Sequence, residues 1–292
     1  MLSITNVSQV PQLSPFRYPG GKSWLAPYAQ WWLATLPKRP TRLCEPFAGG
    51  AAVSLLAVFG GLVDRAVLVE LDPEIALVWE VILGPGGTRL AQRIESFVLS
   101  AETVEAVLAT QPQDPVERAF GVILRNRTNY AGIIAAGASK LKRGENDKGL
   151  ASRWYPKTLH DRIMAIGALA DRFTIVNGDG LAYLENHAKD PGVAYFIDPP
   201  YTVAGKRLYT HSQIDDARLF QLSSKLDCNF LMTYDSTQEI CDLAAGHGLA
   251  VAAIAMRNAK HDTLRELLIG RDLSWTRSEI LPKPLTEFVG SR

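Results

Sequence analysis

Val193-Ala-Tyr-Phe-Ile197 is an unbroken run of apolar, β-branched and aromatic residues, and it stops abruptly at Asp198-Pro199-Pro200-Tyr201. Such a run reads as a buried strand. Proline removes a backbone donor and restricts the residue before it, so Asp198 and Pro199 are pinned in an extended loop at the strand's carboxyl end. The loop presents a carboxylate, a main-chain carbonyl outside any ladder, and an aromatic face at Tyr201. Two acceptors beside a flat apolar surface suit a planar heterocycle with an exocyclic amino group. A strand closed by a Pro-Pro turn with an incidental acid fits the same residues.

Strands and helices alternate around this stretch. Thr41 to Phe59 reads as a short strand, a small-residue turn from Ala48 and Gly49 onward, and an apolar helix. That is the first β-α step of a nucleotide-binding sheet, with the backbone free to approach a ligand. Glu45 at the strand's end repels a pyrophosphate and suits a positive group, such as the ammonium of an amino acid. The next strand, Ala66–Glu70, also ends in an acid, where ribose hydroxyls are commonly bound. Glu70 is the first choice for that contact. Asp72 is the reserve, or simply the cap of a helix that starts at Pro73 and runs to Leu83. Asp179 follows the strand Phe173–Asn177; it either accepts from an adenine amino group or caps the helix Gly180–Ala188. Helix Gln213–Leu226, strand Asn229–Thr233, helix Thr237–Gly246, strand Leu249–Ala255 and a hairpin ending at Leu267–Gly270 complete the alternation. Gly21-Lys22-Ser23 is not a phosphate loop: Phe16 stands where that motif needs glycine, and no strand precedes it. Lys22 instead opens an amphipathic helix ending near Leu36.

Gly84-Pro-Gly-Gly87 breaks the alternation, and the pattern then stays helical to about Arg127. A Gly- and Ala-rich loop follows, then Lys140, Lys142, Arg143, Lys148, Arg153 and Lys157 beside Trp154 and Tyr155. Basic side chains among amides and aromatics suit phosphates and base edges, and equally suit a solvated surface loop. The net charge is only +1, so a nucleic-acid surface has to be a local concentration of this kind. The 3 cysteines show neither a disulfide framework nor metal-ligand spacing, and no structural metal is expected. With no signal pattern and no spanning run, a soluble cytoplasmic protein with no membrane partner is the expectation.

Arg17-Tyr-Pro-Gly-Gly-Lys22, Glu45-Pro-Phe-Ala-Gly-Gly50, Asn126-Arg-Thr-Asn-Tyr-Ala-Gly132 and Asp198-Pro-Pro-Tyr201 occur in that order. In these residues the chain resembles the Dam-type DNA adenine N6-methyltransferases, the D12 class, over roughly Phe16 to Gly270. The resemblance implies an α/β, Rossmann-like S-adenosylmethionine-dependent methyltransferase sheet. It assigns residues 14–83 and 158–275 to catalysis and an inserted, mainly helical subdomain, 84–157, to target recognition. Tyr18, Lys22, Glu45, Phe47, Ala48, Gly49, Glu70, Asp179 and Asp198 would hold S-adenosylmethionine. Asp198, Pro199, Pro200 and Tyr201 would hold and stack the flipped base. Arg17, Arg125, Asn126, Arg127, Asn129, Tyr130, Lys140, Lys142 and Arg143 would face double-stranded DNA. A cognate restriction endonuclease is a further partner implied for such an enzyme. Where the family's turn ends in glycine this chain has Ala51, which is comfortable only at φ below zero and so bears on cofactor affinity rather than on the fold. Cytosine N4 methylation presents a similar amino group to similar acceptors, and a non-catalytic DNA-binding relative is the alternative Ala51 would favour. A dinucleotide oxidoreductase is disfavoured, because Gly49-Gly50 does not complete Gly-x-Gly-x-x-Gly.

Overall fold

The apolar runs form β1 (Arg42–Glu45), β2 (Arg65–Glu70), β3 (Phe173–Asn177), β4 (Val193–Ile197), β5 (Asn229–Asp235), β6 (Ala250–Arg257) and β7 (Thr263–Gly270). They make one mixed sheet in the order β3-β2-β1-β4-β5-β7-β6 in a computed structural model describing residues 12–17, 22–134, 138–141, 149–200, 214–257 and 263–277. β1 to β5 pair in parallel, and β7 enters antiparallel to β5 with β6 outside it. The chain thus turns outward in both directions from β1 and β4, the arrangement that opens a crevice at the strands' carboxyl ends. The expected hairpin is β6–β7, while the Pro282–Pro284 segment lies outside the described residues.

Helices cover both faces. α1 (Ala26–Thr35), α2 (Ala52–Phe59) and α3 (Pro73–Leu83) pack on one side, where Leu43, Leu68, Ala194 and Phe196 point. Three further helices, α8 (Gly180–His187), α9 (Asp216–Ser224) and α10 (Gln238–Gly246), lie on the other, where Cys44, Val69, Tyr195 and Ile197 point. Side chains alternate across a strand, so a strand buried on both faces must be apolar throughout, as β4 is. The stretch between α3 and β3 supplies α4 (Gly87–Glu95), α5 (Ala101–Leu108), α6 (Pro115–Thr128) and α7 (Pro156–Gly167). Its Leu90, Phe120, Ile123 and Trp154 join the same hydrophobic core as Leu43 and Phe196. The segment is therefore built onto one face of the sheet with a shared interior.

α6 also holds the chain ahead of α1. The Asn126 amide accepts from Arg17 N–H at 2.8 Å and donates to Arg17 O and to Gly132 O, both at 2.8 Å. Arg127 donates through Nε and Nη2 to Pro15 O, and Arg162 on α7 donates to Ser14 O at 3.0 Å. Residues 14–17 are thus a strap fastened by α6 and α7.

The start of α8 is pressed against the loop after β1. A Cβ on Gly180 would lie 2.2 Å from Pro46 O and 2.9 Å from a ring carbon of Phe47. The clash is with backbone, which cannot swing aside. Gly180→Ala is expected to lower stability by roughly 1–3 kcal/mol, the usual range for overpacking. A urea titration followed by circular dichroism checks this; an unchanged midpoint would mean that the loop and helix are not held this closely.

Candidate functional site

Parallel strands bring their terminal acids to one edge of the sheet. Glu45 ends β1, Glu70 ends β2, Asp179 follows β3 and Asp198 follows β4. In space they follow the strand order, Asp179, Glu70, Glu45, Asp198.

Glu45 is buried, and its Oε1 accepts the backbone N–H of Ser54 in the first turn of α2. The carboxylate of one strand therefore caps the next helix, where the dipole favours it. Burial pushes its pKa up from 4.5 to about 8; the Ser54 hydrogen bonds oppose the rise and nearby Asp198 adds to it.

Between β1 and α2 the chain makes a tight turn, with Gly49 at φ 46° and Ala51 at φ 50°. Ala51 N–H donates to Ala48 O at 2.7 Å. Ala51, comfortable only at negative φ, here takes the left-handed conformation, at a cost of roughly 1–2 kcal/mol. The surroundings over-determine it. Gly49 N–H donates to Glu70 Oε2 at 2.8 Å, and Gly49 O accepts from the Trp79 indole at 2.9 Å. The same stretch leads into the helix that Glu45 caps.

Glu70 is buried too, and its second oxygen accepts from Asp72 N–H at 2.8 Å. Burial raises its pKa from 4.5 to about 7 against the pull of those backbone donors. Asp72 is the N-cap of α3, accepting from Glu74 N–H at 2.8 Å, so the reserve candidate has a structural post. Asp179 caps α8 through Oδ1, which accepts from Leu181 N–H at 2.7 Å and Ala182 N–H at 3.0 Å. Its residue is exposed at the same edge.

Asp198 is half-buried, and its Oδ1 accepts from the Thr233 hydroxyl at 2.7 Å. The β4–β5 register, which pairs Ile197 with Met232, continues to bring Asp198 level with Thr233. Pro199 is buried behind it and Pro200 is partly so. Sequence reasoning missed Thr233 and Trp79. Thr233 is a hydroxyl inside an apolar strand at the height of the acids, and that oddity was its only signal.

The expected DNA face divides. Asn126 and Arg127 are buried and committed to the strap, and Asn129 is buried between Ile133 O and the Lys140 ammonium. Their side chains serve the chain itself, which corrects the expectation that they meet DNA. The physical reason is that an amide or guanidinium suited to a base edge is equally suited to a backbone carbonyl. Burial and the neighbouring Arg162, Arg17 and Arg153 lower the pKa of Arg127 to about 9. Arg125 is partly buried and paired with Glu74. Tyr130 is 64% exposed, Lys140 is exposed and Arg17 is half-buried at the strap's end. Residues 129–130 and 139–141 run antiparallel, with Tyr130 N–H bonded to Ser139 O at 2.7 Å, so Tyr130 and Lys140 share one protrusion. Tyr18, Tyr201, Lys142, Arg143 and the side chain of Lys22 lie outside the described residues.

The edge can therefore hold a ligand that carries positive charge near Glu45 and Asp198 and hydroxyl donors near Glu70. Residues 18–254 match the family described as D12 class N6 adenine-specific DNA methyltransferase. Among solved structures, the chain is similar to the rRNA methyltransferase aviRa from Streptomyces viridochromogenes, at 16% identity and TM-score 0.42, covering 92% of this chain and 94% of that one. It is also similar to the precorrin-6y C5,15-methyltransferase from Geobacter metallireducens, at 10% identity and TM-score 0.40, covering 87% and 91%. No curated protein matches the chain. Among the described residues no helix is long and apolar enough to cross a membrane.

Glu45 and Glu70 hold their protons more tightly folded than unfolded, so folding takes up protons above the ordinary carboxyl pKa of 4.5. Stability of the ligand-free protein from this source is fully present below that value and is lost as pH rises through about 7 for Glu70 and about 8 for Glu45. Glu45→Gln removes its share. The expected result is a flatter dependence of thermal midpoint on pH across this interval than in the parent, read by calorimetry. Parallel curves for the two proteins would contradict the assignment.

Proposed function

The chain belongs to the D12 class of N6 adenine-specific DNA methyltransferases, and from that premise we propose that it moves a methyl group from S-adenosylmethionine to N6 of an adenine flipped out of duplex DNA. The observation that carries this reading is the order of acceptors along the sheet edge, Asp179, Glu70, Glu45, Asp198. It runs as a nucleoside with an amino-acid tail would need: an acceptor for the adenine amino group, one for the ribose hydroxyls, an anion for the positive end, and an acceptor for the target amine. The donor set fits the cofactor, since buried carboxyls with raised pKa are stabilised as anions by an adjacent cation, whereas a pyrophosphate would be repelled.

S-adenosylmethionine, when bound, supplies a methyl group already activated on a positively charged sulfur. The protein's task is placement. Asp198 accepts a hydrogen of the N6 amino group, and Thr233 fixes the angle from which it does so. The Pro199 carbonyl is the second acceptor, in a loop that its own proline ring and the next one keep rigid. Two acceptors on one amino group favour a more tetrahedral nitrogen, whose lone pair is drawn out of the ring. They also stabilise the positive charge that grows there as the new bond forms. Tyr201 is assigned the stacking face. Arg17, Tyr130, Lys140, Lys142 and Arg143 are assigned to DNA, with Tyr130 and Lys140 on the protrusion after α6 supplying an aromatic face and a charge. The non-catalytic alternative rested on Ala51, and its left-handed conformation leaves the turn formed.

Asp198→Ala is expected to abolish transfer of labelled methyl to unmethylated bacterial DNA while the far-ultraviolet circular dichroism stays that of the parent. Digestion to nucleosides should find the parent's label in N6-methyladenine. Label in N4-methylcytosine instead, or full activity in the variant, would sink the proposal. Thr233→Val keeps the shape and removes the hydroxyl, so kcat should fall about tenfold, the worth of roughly one hydrogen bond. Cofactor affinity, read by calorimetry, should stay as in the parent; a change confined to affinity would give Thr233 a different role.

A further inference from the structure

Trp79 is fully buried in the middle of α3, one helix away from the acids at the sheet edge. In a core position its bulk alone would suffice, yet it uses its polar atom as well. The indole N–H donates to Gly49 O at 2.9 Å, while Glu70 takes the N–H of that same residue at 2.8 Å. Gly49 is thus gripped at both its polar ends. In a trans peptide the carbonyl and the following N–H point in opposite directions. With Gly49 O drawn to the indole, the N–H of Gly50 is turned away from it. The orientation of the 49–50 peptide is a choice, because a glycine at φ 46° has little steric reason to hold one setting.

The second observation is on the indole's other flank. Phe16 packs against Trp79 with ring centroids 5.7 Å apart and planes tilted by 56°. Phe16 belongs to the strap that Asn126, Arg127 and Arg162 fasten to α6 and α7. Trp79 therefore stands between the glycine turn and the strap, with a directed bond to one and an aromatic contact to the other.

We infer that Trp79 is a positioning residue for cofactor binding: its indole N–H sets the 49–50 peptide so that the turn receives the cofactor. The inference rests on the proposed reading of this turn as part of the cofactor seat. A phenylalanine at 79 would fill most of the volume and leave Gly49 O without its donor. The turn then rearranges to find another partner, and binding has to restore it. The chemistry at Asp198 is on another strand and is untouched.

The test is calorimetric titration of the full chain with S-adenosylhomocysteine, for the parent and for Trp79→Phe, followed by steady-state kinetics on DNA. The expected result is a Kd about tenfold weaker in the variant, the scale of one hydrogen bond lost. The KM for S-adenosylmethionine should rise in parallel, with kcat at saturation unchanged. An unchanged Kd, whatever happens to the thermal midpoint, would reduce Trp79 to packing and overturn the inference; so would a loss of kcat without a loss of affinity. Should Trp79→Phe fail to fold, benzothienylalanine incorporated at position 79 keeps the indole outline and removes only the N–H donor, and the same Kd comparison decides. A parent protein that binds no S-adenosylhomocysteine would overturn the cofactor reading itself, and with it this inference. A parent that binds as tightly as the variant would overturn only the role of Trp79.

Discussion

The parallel pairing of β1 with β4 is the constraint on which the site depends. It joins Arg42 to Val193 and Cys44 to Tyr195, residues separated by α2 to α8 and by the strands β2 and β3. Sheet order on one side of this seam runs back through β2 to β3, and on the other forward through β5. The seam sets Glu45 near Asp198, and that like charge adds to the burial that disfavours the Glu45 anion. The fold answers with directed donors: the first turn of α2 for Glu45 and the Thr233 hydroxyl for Asp198. Under the proposed reading, a cation arriving between them would stabilise the Glu45 anion that burial disfavours.

Most of this architecture was legible in the sequence, because its signals are periodic or punctuated. Apolar runs ending in an acid mark strands that finish at a crevice, and Asp-Pro at 72–73 marks a helix start. What was not legible is the direction in which a polar side chain faces. Asn126 and Arg127 look like nucleic-acid contacts by residue type, yet both are buried and hold the strap. Their burial is set by tertiary packing of α6 against residues more than a hundred positions away. Ala51 is a related case: the intrinsic preference against a left-handed alanine is real but small, and several hydrogen bonds around the turn exceed it. Trp79 reads as core, and it is; its donor role depends on which carbonyl lies across from it.

Arg127 shows how tightly α6 and the strap are joined. A buried guanidinium among other guanidiniums is unfavourable, which is why its pKa falls to about 9. It is retained by a two-pronged hold on Pro15 O, a neutral acceptor, in a place where water is excluded. Removing it would leave that carbonyl buried and unpaired, so the unfavourable charge and the favourable grip come as one. The consequence is positional: the strap enters the sheet edge from a point α6 defines, and the exposed protrusion of Tyr130 and Lys140 leaves α6 one turn from the same anchor.

Glu70 carries the densest set of duties, and its lone pairs decide whether they are compatible. An ionised carboxylate offers about four acceptor sites on its two oxygens. The N–H of Gly49 occupies one on Oε2 and the N–H of Asp72 one on Oε1, holding the glycine turn and the start of α3 at once. Each oxygen keeps a further lone pair, so a ribose diol under the proposed reading can donate to both without displacing either backbone group. That works only for the anion, since a protonated carboxyl gives up an acceptor and presents a donor. With its pKa raised to about 7, Glu70 sits where two added hydrogen bonds to the charged form would pull it fully to the anion. Ligand binding and the rigidity of the turn are then the same event: each donor that Glu70 gains makes the carboxylate a more constant acceptor for Gly49.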